Sequence, residues 1–142
     1  KGMPGAFTLF ADTYPAPSLS SICHPTTDAT APNAQSGDCS YEPVQDTFIS
    51  SYTLGNGIIV SDFCAFNLGA WSCAYANGGT LSSLDIVFAR PNPDPFISVN
   101  GLYPDLFPMT SACIKLSSPQ GGERFVAVGA SGDITGNATS CP

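Results

Sequence analysis

The sequence predicts an all-β protein: a compact antiparallel β-barrel or sandwich stapled by disulfides, with residues 1–142 as one domain. Three observations predict it. Apolar runs of about five to eight residues recur between turn signals, the spacing of short strands. No window sustains a 3.6-residue period with helix caps, and 14 glycines and 13 prolines punctuate the chain. Six cysteines are spread along a chain with only 11% charged residues. An even, widely spaced set in a small chain reads as a disulfide framework.

The elements follow in order. "AFTLFAD" (6–12) alternates and reads as a first strand. Residues 13–47 are dense in Pro, Ser, Thr and Ala, and alone would read as a linker. Cys23 and Cys39 lie inside this stretch. A bridge between them would close a loop of about 16 residues and constrain the unfolded chain by roughly 3 kcal/mol. An ordered, pinned loop is therefore expected. "TFISSYTLGNGIIVSDF" (47–63) reads as a hairpin around Gly55-Asn56-Gly57, because Asn-Gly tolerates positive φ. Residues 64–76 read as a further extended segment, closed by the "NGG" turn at 77–79. "TLSSLDIVFAR" (80–90) is the next strand. The three prolines of "PNPDP" (91–95) exclude a central strand there. "FISVNGLYPDLF" (96–107) reads as a short strand, an Asn-Gly turn and an extended exit. "ACIKLSS" and "ERFVAVGAS" flank "PQGG" (119–122) as a second hairpin. "GDITGNATSCP" ends the chain with a cysteine placed to tether it.

Charge narrows the function. Eleven acidic residues against four Lys and Arg give a net charge of −7. That argues against nucleic acid, whose phosphates need clustered cations. It argues equally against anionic membrane surfaces. No apolar run approaches the roughly 18 residues of a membrane helix. The start, KGMPGAF, has no charged segment followed by a long apolar one, so no signal peptide is expected in this stretch.

Candidate chemistry is sparse. Nucleophilic triads need a histidine base, and the single histidine, His24, sits between Cys23 and Pro25 in the loop. Structural zinc prefers closely spaced ligand pairs, and the sequence holds no CxxC. Copper held by an N-terminal histidine brace fails on Lys1. A calcium loop around Asp133 and Asn137 lacks further oxygen ligands at alternate positions. Glycoside hydrolysis needs two carboxylates across one bond. Asp62 and Asp85, each in an apolar strand segment, are the candidates in a chain with only two glutamates, Glu42 and Glu123. The competing reading makes them outward or strand-end aspartates. Neither a cofactor nor a metal is expected, and the chain is expected to be no enzyme.

Binding has a better candidate. Glycan sites present exposed aromatics beside a few polar groups. Trp71, Cys73 and Tyr75 would share one face of an extended strand, with Trp71 and Tyr75 as possible ligand contacts. The competing reading packs both rings on a cystine, as core. The expected site residues are then the disulfide cysteines Cys23, Cys39, Cys64, Cys73, Cys113 and Cys141, and the glycosylation acceptor Asn137 in Asn137-Ala138-Thr139.

The six spread cysteines, the low-charge Ser/Thr/Gly/Ala background, the tail "TGNATSCP" and a pI near 4.1 resemble the small secreted cysteine-rich proteins of filamentous fungi. Within that group the chain is similar to hypersensitive-response elicitors of the rice-blast fungus kind, with a thaumatin-like β-barrel. The resemblance implies a secreted, extracellular effector or elicitor that triggers plant defence or hypersensitive cell death without enzymatic activity. It implies a monomer whose partner is a plant cell-surface component or a cell-wall glycan. It carries over no catalytic residue. The alternatives are a carbohydrate-binding module, a glycan hydrolase acting through Asp62 or Asp85, or an inhibitor of host hydrolases presenting the 23–39 loop as a preorganised insert.

Overall fold

The computed structural model describes residues 6–12, 39–88, 94–101, 109–138, 140 and 141. Among the described residues there is no helix. The strands are β1 (Ala6–Ala11), β2 (Thr47–Thr53), β3 (Ile59–Asn67), β4 (Ala70–Cys73), β5 (Leu84–Phe88), β6 (Pro95–Val99), β7 (Ser111–Ser117), β8 (Glu123–Val128) and β9 (Ile134–Ala138). Every pairing is antiparallel. The expected all-β class is what forms. The sheets do not close into a barrel. A five-stranded sheet ordered β4-β3-β7-β8-β9 is covered on one face by the β5–β6 pair, in a sandwich-like arrangement, and β1–β2 stand as a separate ribbon.

β3 is central because both of its faces are covered, with Asp62 to Ala65 all buried. A bulge at Ser61 makes that possible. The register slips between Val60 and Asp62, so Val60 opposes Leu116 and Phe63 opposes Ile114. Strict alternation would put Val60 and Phe63 on opposite faces. The extra residue turns both toward the same side. Phe63, Ala65, Ala112 and Val128 thereby build the inner face of the sheet. Opposite them, Leu84 pairs with Val99 and Ile86 with Ile97, four apolar residues on one face of β5–β6. Ile97 is 1% exposed and is the largest fully buried side chain among the described residues. Emptying such a position to alanine costs about 2–5 kcal/mol.

One hairpin expectation changes, and so does the reading of residues 64–76 as a single extended segment. Gly55-Asn56-Gly57 does turn, with Asn56 and Gly57 at φ 59° and 71° and Ile58 N–H donating to Gly55 C=O. Yet β2 and β3 do not pair: β2 joins β1, and β3 joins β4 and β7. Five residues separate the two strands. The turn also leans on the next hairpin, since a Cβ on Gly57 would meet Pro119 Cγ at 2.8 Å. The adjacent hairpin is instead made by β3 and β4 through Leu68-Gly69, both at positive φ (49° and 84°). Two positive φ values in a two-residue loop match the twist of the flanking strands. Leucine pays for that geometry sterically, which hides the turn from a sequence reading. The β7–β8 hairpin across 119–122 forms as expected, with Ser118 N–H donating to Gly122 C=O. β9, inside the glycine-containing tail, is a strand the sequence reading leaves out.

The ribbon differs from the sheet. Phe7 stacks on Tyr52 with centroids 5.1 Å apart, and both rings stay about half exposed. Leu9, Phe48 and Ile49 are exposed as well. Cys39 marks its junction with the sandwich. Its N–H donates to Asp12 Oδ2 at 2.8 Å, just past β1, and its carbonyl accepts the hydroxyl of fully buried Ser98 on β6.

Candidate functional site

The outer face of the five-stranded sheet holds the cystines. Cys64 and Cys73 are direct cross-strand partners and are bonded to each other, with Cα atoms 4.0 Å apart. Cys113 opposes Cys64 on the other side and is bonded to Cys141, which ties the chain end to the sheet centre. Closing loops of these lengths constrains the unfolded chain by roughly 2.5 and 3.5 kcal/mol. Cys39 is also disulfide-bonded, and Cys23 lies outside the described residues.

Asp62 sits beside these sulfurs on the same face. The residue is 8% exposed, and its carboxylate accepts three backbone N–H groups: Phe63 at 2.9 Å, Tyr75 at 3.0 Å and Ala76 at 3.0 Å. It thus fixes the bend that ends β4. A carboxylate satisfied this way is a structural anchor. The Asp62, Cys64 and Cys73 ligand atoms all lie within 4.8 Å of one another. That cluster does not make a metal centre, because the sulfurs are bonded to each other and thiolates are what bind metal.

Asp85 is elsewhere. It stands on β5, across the whole thickness of the five-stranded sheet from Asp62. The two candidate acids therefore do not share a cleft. Glu123 is ion-paired with Lys115 at 2.7 Å, and that ammonium lies 5.8 Å from the Phe125 ring centre. Asp133 belongs to the β8–β9 turn, where it accepts the Ser131 hydroxyl at 2.6 Å. A Cβ on Gly129 would come within 2.4 Å of its carboxylate, so the turn closes around it.

Trp71 and Tyr75 do not form one platform. β4 ends at Cys73, so strand alternation does not extend to residue 75. Trp71 is half-buried and its ring meets Phe66 at 5.2 Å, beside the Cys64–Cys73 bridge. Tyr75 lies past the bend and is 50% exposed. Asn137 belongs to β9 by its backbone, while Thr139 of its triplet lies outside the described residues, as does His24.

A concavity that the sequence reading did not find lies between the ribbon and the sandwich. It encloses about 610 Å³. Phe7, Phe10 and Tyr41 form one side, Val60, Phe63 and Ile114 the floor, and Ser82 to Ile86 the other side. Phe10 and Tyr41 touch, with centroids 5.0 Å apart. No sequence signal marks it, because its lining is drawn from β1, Tyr41, β3, β5 with the segment leading into it, and β7. No family model, no curated protein and no solved structure matches the chain.

Proposed function

We propose that the chain is a secreted, non-enzymatic effector or elicitor, perceived at the surface of a plant cell. The observation that carries this reading is that every described cysteine is disulfide-bonded, with two bridges side by side on the central strands. Bridges persist in oxidising, extracellular surroundings. They also slow unfolding, and proteases act on unfolded chain. The resemblance of the sequence to fungal elicitors supports the same role, and its acidic charge keeps the protein off polyanionic cell-wall pectin. The carboxylate of Asp62 is engaged in holding backbone, which favours a scaffold over a hydrolase at that position. Perception would fall on exposed loops and turns carried by the rigid sheet.

Leaf infiltration tests the proposal. Purified protein is applied native, heat-treated, and reduced and alkylated. The native form is expected to cause local cell death or a defence response, and the alkylated form less at equal dose. No response from any form at any dose would overturn the reading.

A further inference from the structure

We infer that Asn56 is a modification site: its side-chain amide deamidates spontaneously, and the conversion loosens the turn that joins the β1–β2 ribbon to the sheet. The inference goes beyond the elicitor reading and does not depend on it.

The chain holds three Asn-Gly pairs, at 56–57, 77–78 and 100–101. All three asparagines are exposed. Such a pair is reactive because glycine has no Cβ to shield its backbone nitrogen or restrict its approach. The glycine nitrogen attacks the asparagine Cγ, the new C–N bond closes a succinimide ring, and the Cγ–Nδ2 bond breaks. Nδ2 leaves as ammonia with the proton that the glycine nitrogen gives up. Water then opens the ring at either carbonyl, leaving aspartate or isoaspartate. Water is the only co-reactant.

Backbone geometry does not rank the three pairs. The asparagines have φ of 59°, 48° and 58°, and the glycines that follow have 71°, 93° and 70°. Each turn must therefore open locally before nitrogen meets Cγ. Side-chain bonds do rank them. Asn100 Oδ1 accepts the Ser82 N–H at 2.7 Å and the Ser82 hydroxyl at 3.0 Å, and its Nδ2 donates to Thr80 C=O at 3.2 Å. Asn77 Nδ2 makes only long contacts, to Trp71 C=O at 3.4 Å and Cys73 Sγ at 3.9 Å. Among the described residues nothing bonds the Asn56 side chain. A bond that must break before the ring closes slows the reaction. The order of conversion is then Asn56, Asn77, Asn100.

Position 56 is also where the product fits worst. The turn carries the chain from β2 to β3 and rests on the β7–β8 hairpin, since a Cβ on Gly57 would meet Pro119 Cγ at 2.8 Å. Isoaspartate adds a main-chain methylene at this close approach, inside the loop that Ile58 N–H closes onto Gly55 C=O. Either product adds a negative charge.

The test holds the native protein in warm, mildly alkaline buffer beside the reduced and alkylated chain. Peptide mapping by mass spectrometry reads the amide-to-acid mass shift at each pair over time. In the native protein position 56 is expected to convert at least about tenfold faster than position 100, with position 77 between them. In the unfolded chain that spread should collapse. Ser82→Ala removes one Asn100 bond and should speed position 100 alone. The converted fraction, separated by its extra charge, should exchange amides over 55–58 and 118–122 faster than the unconverted protein. Position 77 or 100 converting as fast as 56 in the native protein, no conversion at 56 while the unfolded chain converts, an unchanged rate at 100 in folded Ser82→Ala, or unchanged exchange in the converted fraction would overturn the inference.

Discussion

The five-stranded sheet and the β1–β2 ribbon both carry aromatic and β-branched side chains, yet only the sheet buries them. β3 is covered on its inner face by β5–β6 and on its outer face by two cystines. The ribbon is covered on neither face as fully, and Phe7 and Tyr52 stack on each other with about half their surface exposed. What differs is the cover each strand receives, since their compositions are alike. The lesson is that a sequence rich in strand formers states how much can be buried, while topology decides where. A stiff sheet with a loosely seated ribbon is also what leaves a cleft between them.

Four substitutions bear on this contrast. Ile97→Ala should cost about 3–4 kcal/mol, whereas Phe7→Ala should cost less than about 1.5 kcal/mol. Chemical denaturation of the two variants measures the difference, and equal costs would erase the distinction. Asp62→Asn should cost roughly 1–3 kcal/mol, because one of its two acceptor oxygens becomes an amide that faces a backbone N–H. Thermal melting reads that loss, and an unchanged midpoint would show that the β4 bend holds without the carboxylate. The smallest effect is expected at the turn. Leu68→Gly relieves positive φ on an exposed leucine and should stabilise by up to about 1 kcal/mol. A loss instead would mean that the extra chain freedom of glycine outweighs the strain.

The strand runs 6–11, 84–88 and 111–128 were legible in the sequence because their alternation and turn residues agree with their final partners. The β2–β3 connection was not. Gly55-Asn56-Gly57 reports a local turn, but pairing is decided by which apolar face finds cover. Leu68-Gly69 makes the real hairpin with a residue that turn statistics do not favour. The bulge at Ser61 has no sequence mark, and it alone reconciles Val60 with Phe63 on one face. The cystine framework was legible in number and not in pairing, since six cysteines admit 15 connectivities. For the candidate site, the sequence placed Asp62 in an apolar strand segment and left it open between a buried acid and an outward one; its burial and its role came only from the N–H groups of residues 75 and 76 arriving over it. The cleft was out of reach because its walls come from segments at opposite ends of the first hundred residues and from β7.

Hydrogen exchange followed by mass spectrometry on the native protein tests the central claim, a cystine-locked sheet carrying a loosely seated ribbon, most directly. Backbone amides of β3 and β7 should exchange only through global unfolding, and those of β1 and β2 at least about a hundredfold faster through local opening. Ribbon amides as slow as those of β3 would contradict it.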